Sequence, residues 1–239
     1  MVRMSPLAVL RRARSRRVEL ASLTPWQQLR AGHLPRRLVQ LFVGLWLYGT
    51  AMGMFVRSGL GLDPWDVLHD GLRRHWGLSF GAVVIIVGFA VLFLWIPLRQ
   101  WPGLGTVANA VVIGIATNVT LDLLAAPDAL ALRWILLLAG IVLNGLAGAL
   151  YIGSQLGPGP RDGLMTGLSR RTGLSIRLVR TSLEVTVLVV GWLLGGVVGV
   201  GTILYAVSIG PLVQLFLPMV TVRLHACDAA GAGLSWSPG

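Results

Sequence analysis

Apolar residues fall along this chain in long blocks, not at the alternating spacing of a strand or in the one-sided stripe of a soluble helix. Six blocks, at 38–56, 80–98, 104–121, 134–152, 181–198 and 203–222, each approach the ~20 residues that cover about 30 Å of hydrocarbon at ~1.5 Å per residue. They predict six transmembrane helices. The flanking segments, 1–37 and 223–239, read as tails, the first of them basic and disordered.

Two of the intervening stretches are patterned. Asp63 and Pro64 suit the N-cap and first position of a helix, because the aspartate accepts an orphan backbone amide and proline has none to lose. Asp66 then sits at the third helical position, beside the positive end of the dipole. Gly77 can close the helix in a left-handed conformation, and Ser79 can cap the next one. The resulting helix, 64–76, is about 20 Å long and too short to cross the bilayer, so it lies at the interface or re-enters. Gly159, Pro160, Asp162, Gly173 and Ser175 repeat the design over 160–172.

The recurrence is general. At an offset of 96 residues, 41–123 aligns with 137–219 without a gap and with more than two dozen identities. Pro64 falls on Pro160, Asp66 on Asp162, Arg74 on Arg170, and Gly77, Leu78 and Ser79 on Gly173, Leu174 and Ser175. Further on, Gly103, Gly105 and Thr106 fall on Gly199, Gly201 and Thr202. The chain reads as a duplication, with repeats at 38–124 and 134–222. Three spans per repeat is an odd number, so the second copy starts on the opposite side of the membrane and is inverted. The expected fold is an all-α membrane protein of six transmembrane helices in two inverted three-helix repeats, each with a short re-entrant or interfacial helix, an architecture common among secondary transporters.

Charge agrees with that layout. Arginines gather in the N-terminal tail, at Arg99, at Arg161, Arg170, Arg171, Arg177 and Arg180, and at Arg223. The remaining loops are balanced, acidic or uncharged. Both termini are therefore expected in the cytoplasm, with the protein in the cell membrane. The formal charge of +11 comes from twenty arginines, nine of them before residue 38, so it describes a basic tail on an apolar body. That tail suits anionic lipid better than nucleic acid.

Composition removes several chemistries. No lysine is present, which excludes a Walker-type phosphate loop and Schiff-base catalysis. One cysteine, Cys227, allows no intrachain disulfide or cysteine-rich metal site. The four histidines form no HExxH pair, and no nucleophile, base and orienter stand together at recognisable spacing. No catalytic residue, metal or cofactor is expected, and the chain does not read as an enzyme.

The candidate binding residues are polar groups inside apolar sequence. Asp66 and Asp162 would hold a cation, a proton or a polar substrate group, with Arg161 available to an anion; as helix caps they would need no ligand. Glu184 lies inside the fifth span, where an ionisable group is costly, and shares a helix face with Arg180 and Arg177. The first-repeat counterparts of these three are Gly88, Val84 and Gly81, so the cluster breaks the internal symmetry. An ion pair with anchoring arginines is the alternative. Asn109, Asn118, Asn144 and Gln214 line a cavity or bond between helices.

The paired segments GLGLDPWDVLHDGL and LGPGPRDGLMTGL, the GLS turn after each, and the spacing of Arg177 and Glu184 make the chain resemble the YczE-like family of bacterial membrane proteins, itself similar to the YitT-like group. The resemblance covers roughly residues 36–222 and brings no site residues with it. Architecture points to a small-molecule or ion transporter with its site between the repeats. The alternatives are a substrate-binding membrane subunit with an energising partner and a non-transporting accessory or scaffold protein. Lipid is the expected surrounding, and a homo-oligomer or partner subunit fits the small size.

Overall fold

A computed structural model of the chain describes residues 24–222 and 224. The arginines between 11 and 17, Arg223 and Cys227 lie outside the described residues. Within them the regular elements are helices: α1 (Pro25–Arg30), α2 (Leu34–Ser58), α3 (Pro64–Trp76), α4 (Phe80–Leu98), α5 (Leu104–Leu123), α6 (Leu130–Gly153), α7 (Pro160–Thr172), α8 (Ile176–Leu193) and α9 (Val200–Val220).

The short helices occupy the ranges read from their caps. The Asp63 carboxylate accepts the Asp66 amide at 2.9 Å, and Gly77 ends α3 at φ 66°. Gly173 ends α7 at φ 71°. Ser79 and Ser175 each accept an amide at 3.3 Å and start α4 and α8. Thr106 and Thr202 take the amides of Gly103 and Gly199, each at 3.2 Å, which satisfies a donor at the starts of α5 and α9.

Two expectations are revised. Five helices, α2, α4, α5, α6 and α9, are long and apolar enough to cross a membrane. The stretch 181–198, expected as a further span, is not among them: it falls in α8, which begins at its Ser175 cap and not at 181, so that Arg177, Arg180 and Glu184 lie in its first half. The first tail is also shorter than 1–37, because Pro25–Arg30 is helical and Arg37 is buried in the fold.

Each helix of the second repeat begins 96 residues after its counterpart. At the centre α2 and α6 run antiparallel. Arg37, near the start of α2, donates to the Ser154 carbonyl beyond the end of α6 at 2.8 Å. Arg133, near the start of α6, donates to the Ser58 carbonyl at the end of α2 at 2.7 Å. Arg37 and Arg133, like Ser58 and Ser154, are partners at the 96-residue offset, so each central helix neutralises the orphan carbonyls of the other. Their approach is close: a Cβ on Gly44 would stand 2.9 Å from the Tyr151 nitrogen. α5 packs on α2, and α9 on α6 in the same way.

The broken segments are completed across the repeats. The Leu60 carbonyl, between α2 and α3, accepts the Gly201 amide at 2.8 Å; the Leu156 carbonyl, between α6 and α7, accepts the Gly105 amide at 2.8 Å. The short helices also exchange sides, α3 lying on α8 and α7 on α4. Size is exchanged with them. Gly191 of α8 admits the Val67–Leu68 backbone, whereas at the matching contact Gly163 admits the Trp95 ring. The Trp95 indole donates to the Pro160 carbonyl at 3.1 Å.

One contact has no counterpart. α4 packs along α5 so tightly that a Cβ on Gly81 would lie 1.9 Å from the Gly114 carbonyl oxygen, and Asn118 accepts the Gly81 amide at 2.8 Å. In the second repeat Gly81 is replaced by Arg177, whose side chain no such contact could hold. α8 and α9 do not pack along one another, and nothing lies within 4 Å of a Cβ placed on Gly210, the counterpart of Gly114. Gly114→Leu should therefore cost at least the ~1–3 kcal/mol of core overpacking, whereas Gly210→Leu should stay within about 0.5 kcal/mol of the parent. Thermal unfolding of the two variants in the same detergent measures the difference.

Candidate functional site

The chain after α2 and after α6 turns back into the molecule before its short helix begins, and the two returns bring the N-termini of α3 and α7 together. Arg161, second residue of α7, has a guanidinium nitrogen 3.8 Å from a carboxylate oxygen of Asp63, the cap of α3. The guanidinium carbon also lies 5.4 Å from the centre of the Trp65 ring. Between them is a cavity of about 130 Å³, room for several waters or a small solute.

All three tyrosines of the chain line it. The Tyr151 hydroxyl donates to Asp162 at 2.7 Å, the Tyr205 hydroxyl donates to the Asn144 amide oxygen at 3.1 Å, and the Tyr48 ring meets that of Tyr151 edge-on at 6.1 Å. Two of these residues carry a trace of the duplication. Tyr48 aligns with Asn144 and Asn109 with Tyr205, so each repeat supplies one phenol and one amide at exchanged positions.

Of the residues singled out from sequence, Arg161, Asp162, Arg180, Glu184 and Asn109 line the cavity together. Asn144 lies behind Tyr205 and is buried. Asp66 is fully buried on the far side of the α3 terminus, with one oxygen 3.0 Å from His69 Nδ1. It does not cap the helix; Asp63 does. Arg177 is exposed on α8 and does not reach the cavity wall. Arg180 donates to Glu184 at 2.9 Å, and this ion pair stands at the side of the cavity where α8 and α9 diverge. Asn118 bonds between helices, donating to Ser79 Oγ at 2.9 Å.

Sequence reasoning missed Asp63 as a wall of the site, together with Trp65 and the tyrosines. The exchanged tyrosine and asparagine pairs were the available signal. From sequence Asp63 is a cap and no more; the fold leaves its second oxygen buried and without a hydrogen bond, with Arg161 opposite. Among the described residues no group of three or more His, Cys, Asp or Glu is placed to hold a metal ion.

Residues 35–218 match DUF6198, a family of unknown function. The chain belongs to this family. It is 46% identical over 185 residues to an uncharacterised protein of Haemophilus influenzae, covering 77% of this chain and 85% of the relative. It is 34% identical over 204 residues to the uncharacterised membrane protein YczE of Bacillus subtilis, covering 82% and 93% of the two chains. With YyaS of the same organism the identity is 29% over 185 residues, 74% of this chain and 90% of the other. No solved structure matches. This DUF6198 member is a multi-pass helical membrane protein, as its apolar helices and its relation to YczE require.

In this DUF6198 cavity the Arg161 guanidinium faces Asp63 with Asp66 behind it, so its loss should be costly. Removing one partner of a fully buried pair costs about 3–5 kcal/mol, and Arg161, with a quarter of its side chain exposed, should cost a part of that. Arg161→Met should lower the melting temperature sharply. The double variant Asp63→Asn, Arg161→Met should recover part of the loss, since asparagine still caps α3. Melting curves of the parent, both single variants and the double variant form the cycle that measures the coupling.

Proposed function

We propose that this protein is a transporter of a small molecule or ion in the cell membrane, with its site in the cavity between two inverted three-span repeats and both termini in the cytoplasm. The observation that carries the reading is the meeting of two interrupted helices, N-terminus to N-terminus, at a charged cavity walled by tyrosines. Irregular backbone at membrane depth is tolerated where protein or a water-filled cavity satisfies it, and binding sites in transporters are built from such breaks.

In this arrangement α8 is the sixth span. Its 18 residues cover about 27 Å at ~1.5 Å per residue. Arg177 lies in its first turn, near the interface, and Arg180 and Glu184 cancel one another one turn deeper. The antiparallel run of α2 and α6, with arginines exchanged at their ends, supports the inversion.

The test is uptake by proteoliposomes holding only the purified protein, offered a panel of radiolabelled primary amines, amino acids and carboxylates. Uptake of one class is expected, and its loss in Asp162→Asn at an unchanged melting temperature. Binding without uptake would instead indicate a substrate-binding subunit. Neither binding nor uptake would indicate an accessory protein and overturn the proposal.

A further inference from the structure

The charges around the cavity do not balance. Arg180 and Glu184 satisfy each other at its open side, with 56% and 35% of their side chains exposed. The inner wall holds Asp63 and Asp162, and Asp66 lies just behind, so that with Glu184 four carboxylates face the two guanidiniums of Arg161 and Arg180. Asp162 has the Tyr151 hydroxyl, and Asp66 has His69. Asp63 spends one oxygen on the α3 cap. Its other oxygen has no hydrogen-bond partner, although the residue is 1% exposed and Arg161 stands 3.8 Å away. That distance gives attraction without a hydrogen bond.

A buried carboxylate oxygen in this state requires an N–H or O–H donor, and a site with surplus negative charge favours a cation. The remaining walls suit the same ligand. Tyr48, Trp65, Tyr151 and Tyr205 present aromatic rings, whose faces attract ammonium groups while their bodies accept an alkyl chain. A carboxylate ligand would meet Arg161 only in the company of Asp63 and Asp162.

Building on the reading of this cavity as a ligand site, we propose that it binds a small primary ammonium ion, which donates an N–H to the free oxygen of Asp63 and lays its alkyl part against the tyrosines and Trp65. The volume of about 130 Å³ limits the ligand to a few heavy atoms.

Isothermal titration and melting temperature of the purified full chain with n-butylammonium, n-butanol and butyrate decide the matter. Butylammonium should bind saturably and raise the melting temperature, and the neutral and anionic analogues should do neither. Asp63→Asn should weaken butylammonium at least tenfold in protein that still melts cooperatively, its unliganded melting temperature lowered by the loss of the Arg161 attraction alone, because asparagine caps a helix as well as aspartate. Asp122→Asn, exposed near the end of α5, should change neither. Absence of butylammonium binding, binding of butyrate in its place, or unchanged affinity in Asp63→Asn would overturn the assignment. Ammonium binding without uptake would retain this site and remove transport. Uptake of a carboxylate without ammonium binding would do the reverse.

Discussion

A helix that stops inside a protein leaves amides and carbonyls without partners, and in surroundings poor in water each such group costs free energy until something else bonds it. This chain interrupts its helices twice, after Ser58 and after Gly153, and each interruption is repaired by the other half. The Leu60 carbonyl takes the Gly201 amide, the Leu156 carbonyl takes the Gly105 amide, and Arg133 and Arg37 reach across to the ends of α2 and α6. Among the described residues these groups find their partners across the two halves, which ties the halves together. The cavity follows from the same constraint, since turning both chains back toward the centre leaves the N-termini of α3 and α7 facing each other.

Departures from the internal symmetry are local and chemical. Where the first repeat has Gly81 and Gly88, permitting α4 to lie on α5, the second has Arg177 and Glu184, and α8 stands away from α9. The separation of α8 from α9 is thus encoded in side-chain volume and charge. Elsewhere the symmetry is kept by exchange: Val67 and Gly191 in one contact become Gly163 and Trp95 in the other, so similar space is filled from opposite partners.

The local elements were legible in the sequence. The ranges of α3 and α7 follow from Asp63, Pro64 and Gly77 and from Pro160 and Gly173, because caps and left-handed glycines act within a few residues of themselves. The duplication was visible because it preserves spacing. The start of α8 was misplaced because hydropathy weighed its arginines above the Ser175 cap that governs where the helix begins. Much of the site was hidden for a different reason. Arg161 gains its importance from Asp63, almost a hundred residues earlier, a contact that only the cross-repeat packing creates, and Tyr151 gains its own from Asp162, across the turn between α6 and α7. Asp66 and Asp162 hold matching positions in the alignment and unlike environments in the fold, one sealed behind the α3 terminus and one on the cavity wall.

The proposed inversion has the two short helices pointing inward from opposite faces of the membrane. Their far ends are marked by Leu78 and Leu174, exposed counterparts in the loops after α3 and α7. In a Cys227→Ser background, Leu78→Cys and Leu174→Cys can be treated in intact cells with a membrane-impermeant thiol reagent. Labelling of position 78 alone, with 174 reacting only after permeabilisation, is the predicted result. Reaction of both positions from the same side would contradict the inverted arrangement and the cavity built upon it.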